Sequence, residues 1–261
     1  MQRSPSRNPR ATRLPNDRNE TMTRTQTLTD ASRPSDQAGP EPVLMCWSGG
    51  KDSALALQAA LRDPRLRVEA LLTTVTDGYE RISMHGVRRA LLCEQAQAIG
   101  LPLEEVRIPI QASNAAYEEA MRAILTRYRA RGVRRVIFGD LFLQDIRAYR
   151  ETRLAQLEMA GLFPLWLKDT GQLARECIAS GFRAILVCVD PAQLDPAFCG
   201  WEFDERLLAA LPPSADPCGE HGEFHTFVYD GPIFRRPVRI ARGEIVTRDG
   251  FWFCDLVPAS A

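Results

Sequence analysis

The sequence predicts an α/β fold: a largely parallel sheet with helices on both faces, followed by a smaller α+β C-terminal lobe. Three observations carry this. From Val43 to Asp190, short apolar runs alternate with longer segments whose apolar residues recur at helical spacing. Beyond Pro191 the alternation stops, and the chain becomes rich in Pro, Gly and aromatic residues. The 261 residues, 45% apolar and 25% charged, suit a globular chain holding one large domain, or a medium one with a small one.

The elements follow in order. "VLMCW" (43–47) reads as a buried strand, and "SALALQAALRD" (53–63) as a helix. "VEALLTTVT" (68–76) is a strand, and "HGVRRALLCEQAQAIG" (85–100) a helix stopped by Gly100 with Pro102 beyond it. "LEEVRIPI" (103–110) is a strand, and "NAAYEEAMRAILTRYRARG" (114–132) a long helix closed by Gly132. "VRRVIFGD" (133–140) is a strand ending in Gly139-Asp140, "YRETRLAQLEMAG" (149–161) a helix, and "LFPLWL" (162–167) a short or edge strand. "TGQLARECIASG" (170–181) is a helix and "FRAILVCVD" (182–190) a strand, before β segments around Gly243 and Asp249-Gly250. Strands joined by helices of this length imply parallel crossovers, and ligands then sit at the carboxyl ends of the strands.

Residues 1–41 differ: Arg, Ser, Thr, Pro and Asn dominate, with few large apolar residues to offset the entropy of ordering. A disordered tail, or translation from a later start, is expected there rather than a targeting peptide, which Asp17, Glu20, Asp30, Asp36 and Glu41 oppose. Zero formal net charge argues against a broad nucleic-acid-binding face. No apolar run reaches the length of a membrane span. Seven cysteines at irregular spacing, without a C-x-x-C pair, read as reduced thiols of a cytoplasmic protein. Of 33 basic residues only Lys51 and Lys168 are lysines, so one of two lysines falls in the most suggestive stretch of the chain.

That stretch is Ser48-Gly49-Gly50-Lys51-Asp52-Ser53, between the first strand and the first helix. A Walker loop ending in Gly50-Lys51 would need Gly at 45 and Ser or Thr at 52; Met45 and Asp52 stand there instead. A G-x-G-x-x-G fingerprint is also missing. The physical reading is still a phosphate grip. Glycines admit positive φ and close backbone approach, and N–H groups of the turn and helix point at an anion. Ser48 and Ser53 add hydroxyl donors, Lys51 a charge, and Asp52 a cap for the helix or a ligand for magnesium.

The string S-G-G-K-D-S resembles the signature of the N-type ATP pyrophosphatases, the PP-loop superfamily. "VIFGDLFLQDIRAYRETRL" (136–154), "GLFPLWLKDTGQLARECIASGFRAILVCVD" (161–190) and "GEHGEFHTFVYDGPIF" (219–234) resemble the diphthine–ammonia ligase family, in the expected order, from about Val43 to Pro258. The resemblance implies a HUP-like sheet over 42–190 as the ATP-binding domain and a substrate-recognition lobe over 191–261. It implies ATP and Mg2+, with a carboxylate adenylated at the α-phosphorus and ammonia then displacing AMP. One departure stands out: His225 occupies the place where the diphthine branch carries a second Glu, and "GEFHT" resembles a bacterial-type branch. The chemistry carries over; the identity of the carboxylate does not.

Lys51, Asp52 and Asp140 are the expected catalytic residues, with Asp52 the metal ligand. ATP contacts are expected from Ser48, Gly49, Gly50, Lys51, Asp52, Ser53, His85, Arg88 and Gly139. The substrate is assigned to Glu220, Glu223, His225, Thr226, Arg150 and Arg153. Cys218, His221 and His225 have C-x2-H-x3-H spacing but no evident fourth ligand. The four tryptophans read as packing. The partners implied are a small-molecule or protein-borne carboxylate and ammonia, with no membrane and no nucleic acid; a homodimer is one assembly to test. Two rival readings are a PP-loop tRNA-modifying enzyme, which would need working cysteines, and a non-catalytic ATP-binding module.

Overall fold

A computed structural model describes residues 39–77, 81–82, 86–110 and 112–259. The expected tail lies outside them except at its end, where Glu41 already opens the first strand. The first sheet contains β1 (Glu41–Cys46), β2 (Leu66–Thr76), β3 (Arg81–Ile82), β4 (Leu103–Ile108), β5 (Arg135–Ile137) and β6 (Ala160–Leu162). Five strands run parallel in the order β4-β2-β1-β5-β6, and β3 returns antiparallel onto the end of β2. The chain thus proceeds outward from β1 through β2 to β4, then crosses back to β5 on the other side of β1. That reversal makes the carboxyl ends of β1 and β5 the switch point at which such sheets bind ligands.

Side-chain alternation along β1 decides the layers. Val43, Met45 and Trp47 enter one core, with α1 (Lys51–Arg62), α2 (Arg89–Ile99) and α5 (Thr170–Ala179). Leu44 points the other way, into a second core with Leu125 and Tyr128 of α3 (Asn114–Ala130) and Leu154 of α4 (Gln144–Ala155). The near-continuous apolar β1 and β2 therefore reflect burial on both faces. Ser113 and Asp169 cap α3 and α5 through their side chains, and α2 ends at left-handed Gly100.

The second sheet is antiparallel, in the order β8-β7-β10-β9, from β7 (Arg183–Val189), β8 (Phe224–Asp230), β9 (Ile240–Arg248) and β10 (Phe251–Pro258). A short 3-10 turn (Pro196–Phe198) and α6 (Glu205–Ala210) lie between β7 and β8. The strand expected over 182–190 forms, but in this sheet, so the passage between sheets falls before β7. Periodicity could not show this, since a buried strand is apolar in either sheet. Its apolar face joins the same core as α1, α2 and α5, which makes the second sheet part of that layer.

Two other expectations shift. The helix expected over 149–161 runs from Gln144 to Ala155, because residues after Leu154 turn sharply and Ala160–Leu162 pair with Arg135–Ile137. The strand expected over 162–167 ends at Leu162; Leu167 then takes a positive φ of 57°, which no strand permits. No helix among the described residues is long and apolar enough to cross a membrane.

Candidate active site

The Ser48–Ser53 loop joins β1 to α1 at the switch point, and all of it except Gly49 lines a cavity of about 360 Å³. The other walls come from the end of β2 (Thr73, Thr74), the end of β5 (Gly139, Asp140), α3, α4 and the segment Cys218–Thr226. Within the loop the Ser48 hydroxyl donates to Ser53 Oγ at 3.1 Å, and the Gly50 N–H donates to Ser48 Oγ at 3.2 Å. Ser53 Oγ also donates to the Gly50 carbonyl at 2.8 Å, fixing the turn into the helix. Gly49 has φ 80°, and a Cβ there would lie 2.8 Å from Gln95 Oε1. At Gly139 a Cβ would stand 2.8 Å from the Asp52 carbonyl carbon, so glycine lets β5 approach the loop.

The loop is held from outside by β8. The Lys51 N–H donates to Thr226 Oγ1 at 3.1 Å, and the Val228 N–H to the Gly49 carbonyl at 2.9 Å. Helix α1 has no side-chain cap from its own N-terminal residues. Asp52 does not cap it, being turned to Lys51 instead. Gln95 on α2, fully buried, completes the clamp. Its Nε2 donates to the carbonyls of Gly49 (3.0 Å) and Val228 (2.5 Å), and its Oε1 accepts from Trp47 Nε1 at 3.0 Å.

The Lys51 side chain is 2% exposed. Its Nζ donates to both oxygens of Asp52, at 3.0 and 2.8 Å, and to the Cys218 carbonyl. The rings of Phe203 and Phe224 lie 5.5 and 5.6 Å from it. Burial disfavours the ammonium, but the Asp52 carboxylate beside it prevails and holds its pKa above the ordinary lysine value. Burial pushes the Asp52 carboxyl up, against the pull of Lys51.

The acidic segment divides in two. Glu220 lines the cavity, and its Oε1 accepts from the Leu141 N–H at 2.9 Å. Burial raises its pKa, backbone donors at 141 and 142 oppose this, and nearby Asp52 adds to the rise. Glu223 turns inward. It is 2% exposed, and its Oε1 accepts from the Asp216 N–H at 2.8 Å. Asp216 Oδ1 in turn accepts from the Cys218 N–H at 2.8 Å, which positions the carbonyl that meets Lys51. Glu223 thus braces the segment from behind. His225 and Thr226 line the cavity; burial and Lys51 push the His225 pKa down to about 4, so its imidazole is neutral.

Asp140 and Arg150 face each other across the cavity edge, with Nε and Oδ2 2.7 Å apart, and the guanidinium lies 4.5 Å from the Phe138 ring. Arg88 is placed elsewhere: its guanidinium pairs with Asp255 on β10 at 3.1 and 2.6 Å and does not line the cavity. Arg153 pairs with Glu118 and lines a neighbouring cavity. His85 lies outside the described residues. Among the described residues no group of three His, Cys, Asp or Glu could hold a metal, so Cys218, His221 and His225 form no site; the His221 ring packs instead against Phe142. All seven cysteines are free, and burial raises every thiol pKa, to about 12 at Cys177, Cys188 and Cys199. None is the activated thiolate a sulfur-transfer enzyme needs.

Reasoning from the sequence missed Gln95, Trp47, Asp216 and the second-sheet side of the loop. A glutamine in an apolar helix face was the one signal for Gln95 (Leu91, Leu92 and Ile99 share the segment).

The diphthamide synthase N-terminal domain matches residues 42–157, and the diphthamide synthase C-terminal domain matches residues 169–257. The chain is 27% identical over 232 residues to a diphthine–ammonia ligase of Schizosaccharomyces pombe, covering 82% of this chain and 38% of that one. It is 26% identical over 229 residues to a diphthine–ammonia ligase of Mus musculus, covering 76% of this chain and 82% of that one. A Danio rerio protein of the same name is 34% identical over 110 residues, 40% of this chain and 43% of its own.

Proposed function

Because the chain belongs to the diphthamide synthase family, we propose that it is an ATP-dependent ligase that adenylates a carboxylate and transfers ammonia to it. The observation that carries the reading is the Ser48–Ser53 loop at the switch point, sharing one cavity with Glu220, His225 and Thr226. In the first step a carboxylate oxygen bonds to the α-phosphorus of ATP. The bond from that phosphorus to the bridging oxygen breaks, and pyrophosphate leaves with the electron pair. In the second step ammonia attacks the acyl carbon, AMP leaves with the C–O electrons, and the nitrogen loses a proton.

The chain's own groups suit the leaving end. The loop serines, the Gly50 region and the start of α1 surround the place for the β and γ phosphates, and Lys51 supplies fixed positive charge. Leaving-group charge then develops against donors already in place. Magnesium fits as a companion of the phosphates: it takes one or two protein carboxylates and the rest from substrate. Asp52 is the carboxylate nearest the loop, and bound there the ion would neutralise the triphosphate. Neutral His225 places no second negative charge in the cavity that Glu220 lines. That supports a different acceptor acid from the diphthine of the relatives' name, in keeping with a bacterial-type branch.

The test is product analysis with ATP, magnesium and ammonium. AMP and pyrophosphate are expected; ADP and phosphate would place the cut at the wrong phosphorus and overturn the reading.

A further inference from the structure

We propose that a second cavity, between α3 and α4, receives the stem of the acceptor, and that the acceptor is a free carboxylic acid with an apolar stem. This rests on the ligase reading and deepens it. The cavity measures about 280 Å³ and shares Tyr117, Met121, Phe138 and Arg150 with the loop cavity. Two cavities meeting at the same four side chains suit a reaction in which the end of one substrate must meet the middle of another.

Leu125, Leu154 and Leu157 form an apolar wall of this cavity, the first two buried, while charged and polar side chains line the rest. Against the leucines a polar stem would leave its groups unpaired, whereas an alkyl or aryl stem would not. At the shared wall stands Arg150. One terminal nitrogen donates to Asp140 Oδ1 at 3.1 Å, while its buried Nε, 2.7 Å from Oδ2, makes no hydrogen bond, so N–H donors remain for a carboxylate. Arg153 lines the second cavity, and its Nε is buried with no hydrogen-bond acceptor among the described residues.

The acids of the wall are already engaged. Glu118 accepts from Tyr149 and Arg153, and Glu119 from Arg122. Each acid is matched by an arginine of the same wall, and there the Nε atoms of Arg150 and Arg153 are the buried guanidinium donors left without a hydrogen-bond partner among the described residues. At about 30 Å³ per water-sized group, the space holds a stem of roughly nine such groups.

The experiment uses the full chain with ATP, magnesium, ammonium and straight-chain acids from butanoate to decanoate. A mid-length acid should raise AMP formation about tenfold or more over the acid-free rate. Leu157→Trp, which fills space beside the leucine wall, should move the preferred length to shorter acids. It should change the affinity for a non-hydrolysable ATP analogue by less than about twofold. Leu125→Trp is the second variant should the first not fold. The inference is overturned if no acid raises the rate while the analogue still binds, or if preferred length stays put in both folded variants. Amidation of diphthine on a protein, with the free acids inert, would overturn this inference and leave the ligase reading standing. ADP as product would end both.

Discussion

The backbone N–H of Lys51 donates to the hydroxyl of Thr226, 3.1 Å away and 175 residues further along the chain. The first amide of the loop's helix is thus satisfied by the second sheet rather than by a local cap. The loop and β8 are consequently tied to each other. An orphan helix N–H, like any buried donor, costs free energy unless it finds an acceptor.

Thr226→Val should remove that acceptor and keep the shape. A loss of about 1 kcal/mol is expected in urea unfolding, as for a lost N-cap, with weaker ATP binding. Thr226→Ser should restore both. Equal behaviour of the Val and Ser variants would show that the hydroxyl does nothing.

Gln95→Leu leaves the Trp47 indole N–H and the Gly49 carbonyl without their glutamine partner in a buried place. The indole N–H is then unsatisfied, at a cost of about 1–3 kcal/mol, while the Gly49 carbonyl keeps the Val228 N–H. The variant should unfold at clearly lower urea, and isothermal titration should show ATP affinity down by about tenfold or more. An unchanged affinity would separate Gln95 from the loop.

Lys51→Met should abolish turnover and also destabilise the fold, because Asp52, 28% exposed in the cavity wall, then keeps a carboxylate without its partner. Breaking one side of a fully buried pair costs about 3–5 kcal/mol, and the part-exposed Asp52 should bring the loss below that. Replacing both, Lys51→Met with Asp52→Asn, should destabilise less than the sum of the single changes, though it stays inactive. Additive losses in chemical denaturation would rule out the coupling.

Gly139→Ala pushes a methyl group to 2.8 Å from the Asp52 carbonyl carbon. Relief requires the loop or β5 to move, at a cost of about 1–3 kcal/mol. Misplacement of this kind should lower turnover by about a hundredfold, measured as AMP release.

His225 gives a pH dependence with a definite sign. Its folded pKa, about 4, lies below the ordinary 6.5, so protonation favours the unfolded chain. Its contribution to stability is complete above about pH 6.5 and is lost as the pH falls through 6.5 toward 4, up to about 3 kcal/mol. Unfolding free energies measured over that range should fall less steeply in His225→Gln. A parallel decline in the two proteins would refute the assignment.

The strand–helix alternation, the loop and its place after the first strand were all legible in the sequence, because β1, α1 and their neighbours are local patterns. So was the pairing of the loop with "GEHGEFHT", as a resemblance of motifs. The roles within that motif were not legible. Glu220 and Glu223 stand three residues apart, yet one lines the cavity and the other braces the turn behind it. Spacing cannot tell which way a side chain leaves a turn. Arg88 and Arg153 are arginines like Arg150, and only the partner that reaches each one first, Asp255 or Glu118, decides that they stand away from the loop.

By itself, then, the sequence determined the periodicities, the turn chemistry and the glycine-rich loop after the first strand, since these rest on covalent properties of neighbouring residues. Tertiary structure alone decided that β7 belongs to the second sheet, that Thr226 and Gln95 hold the loop, and that Lys51 is buried against Cys218. Those outcomes depend on contacts between residues far apart in the chain. Their energies arise from burial and from hydrogen bonds that must be satisfied, which no local pattern records.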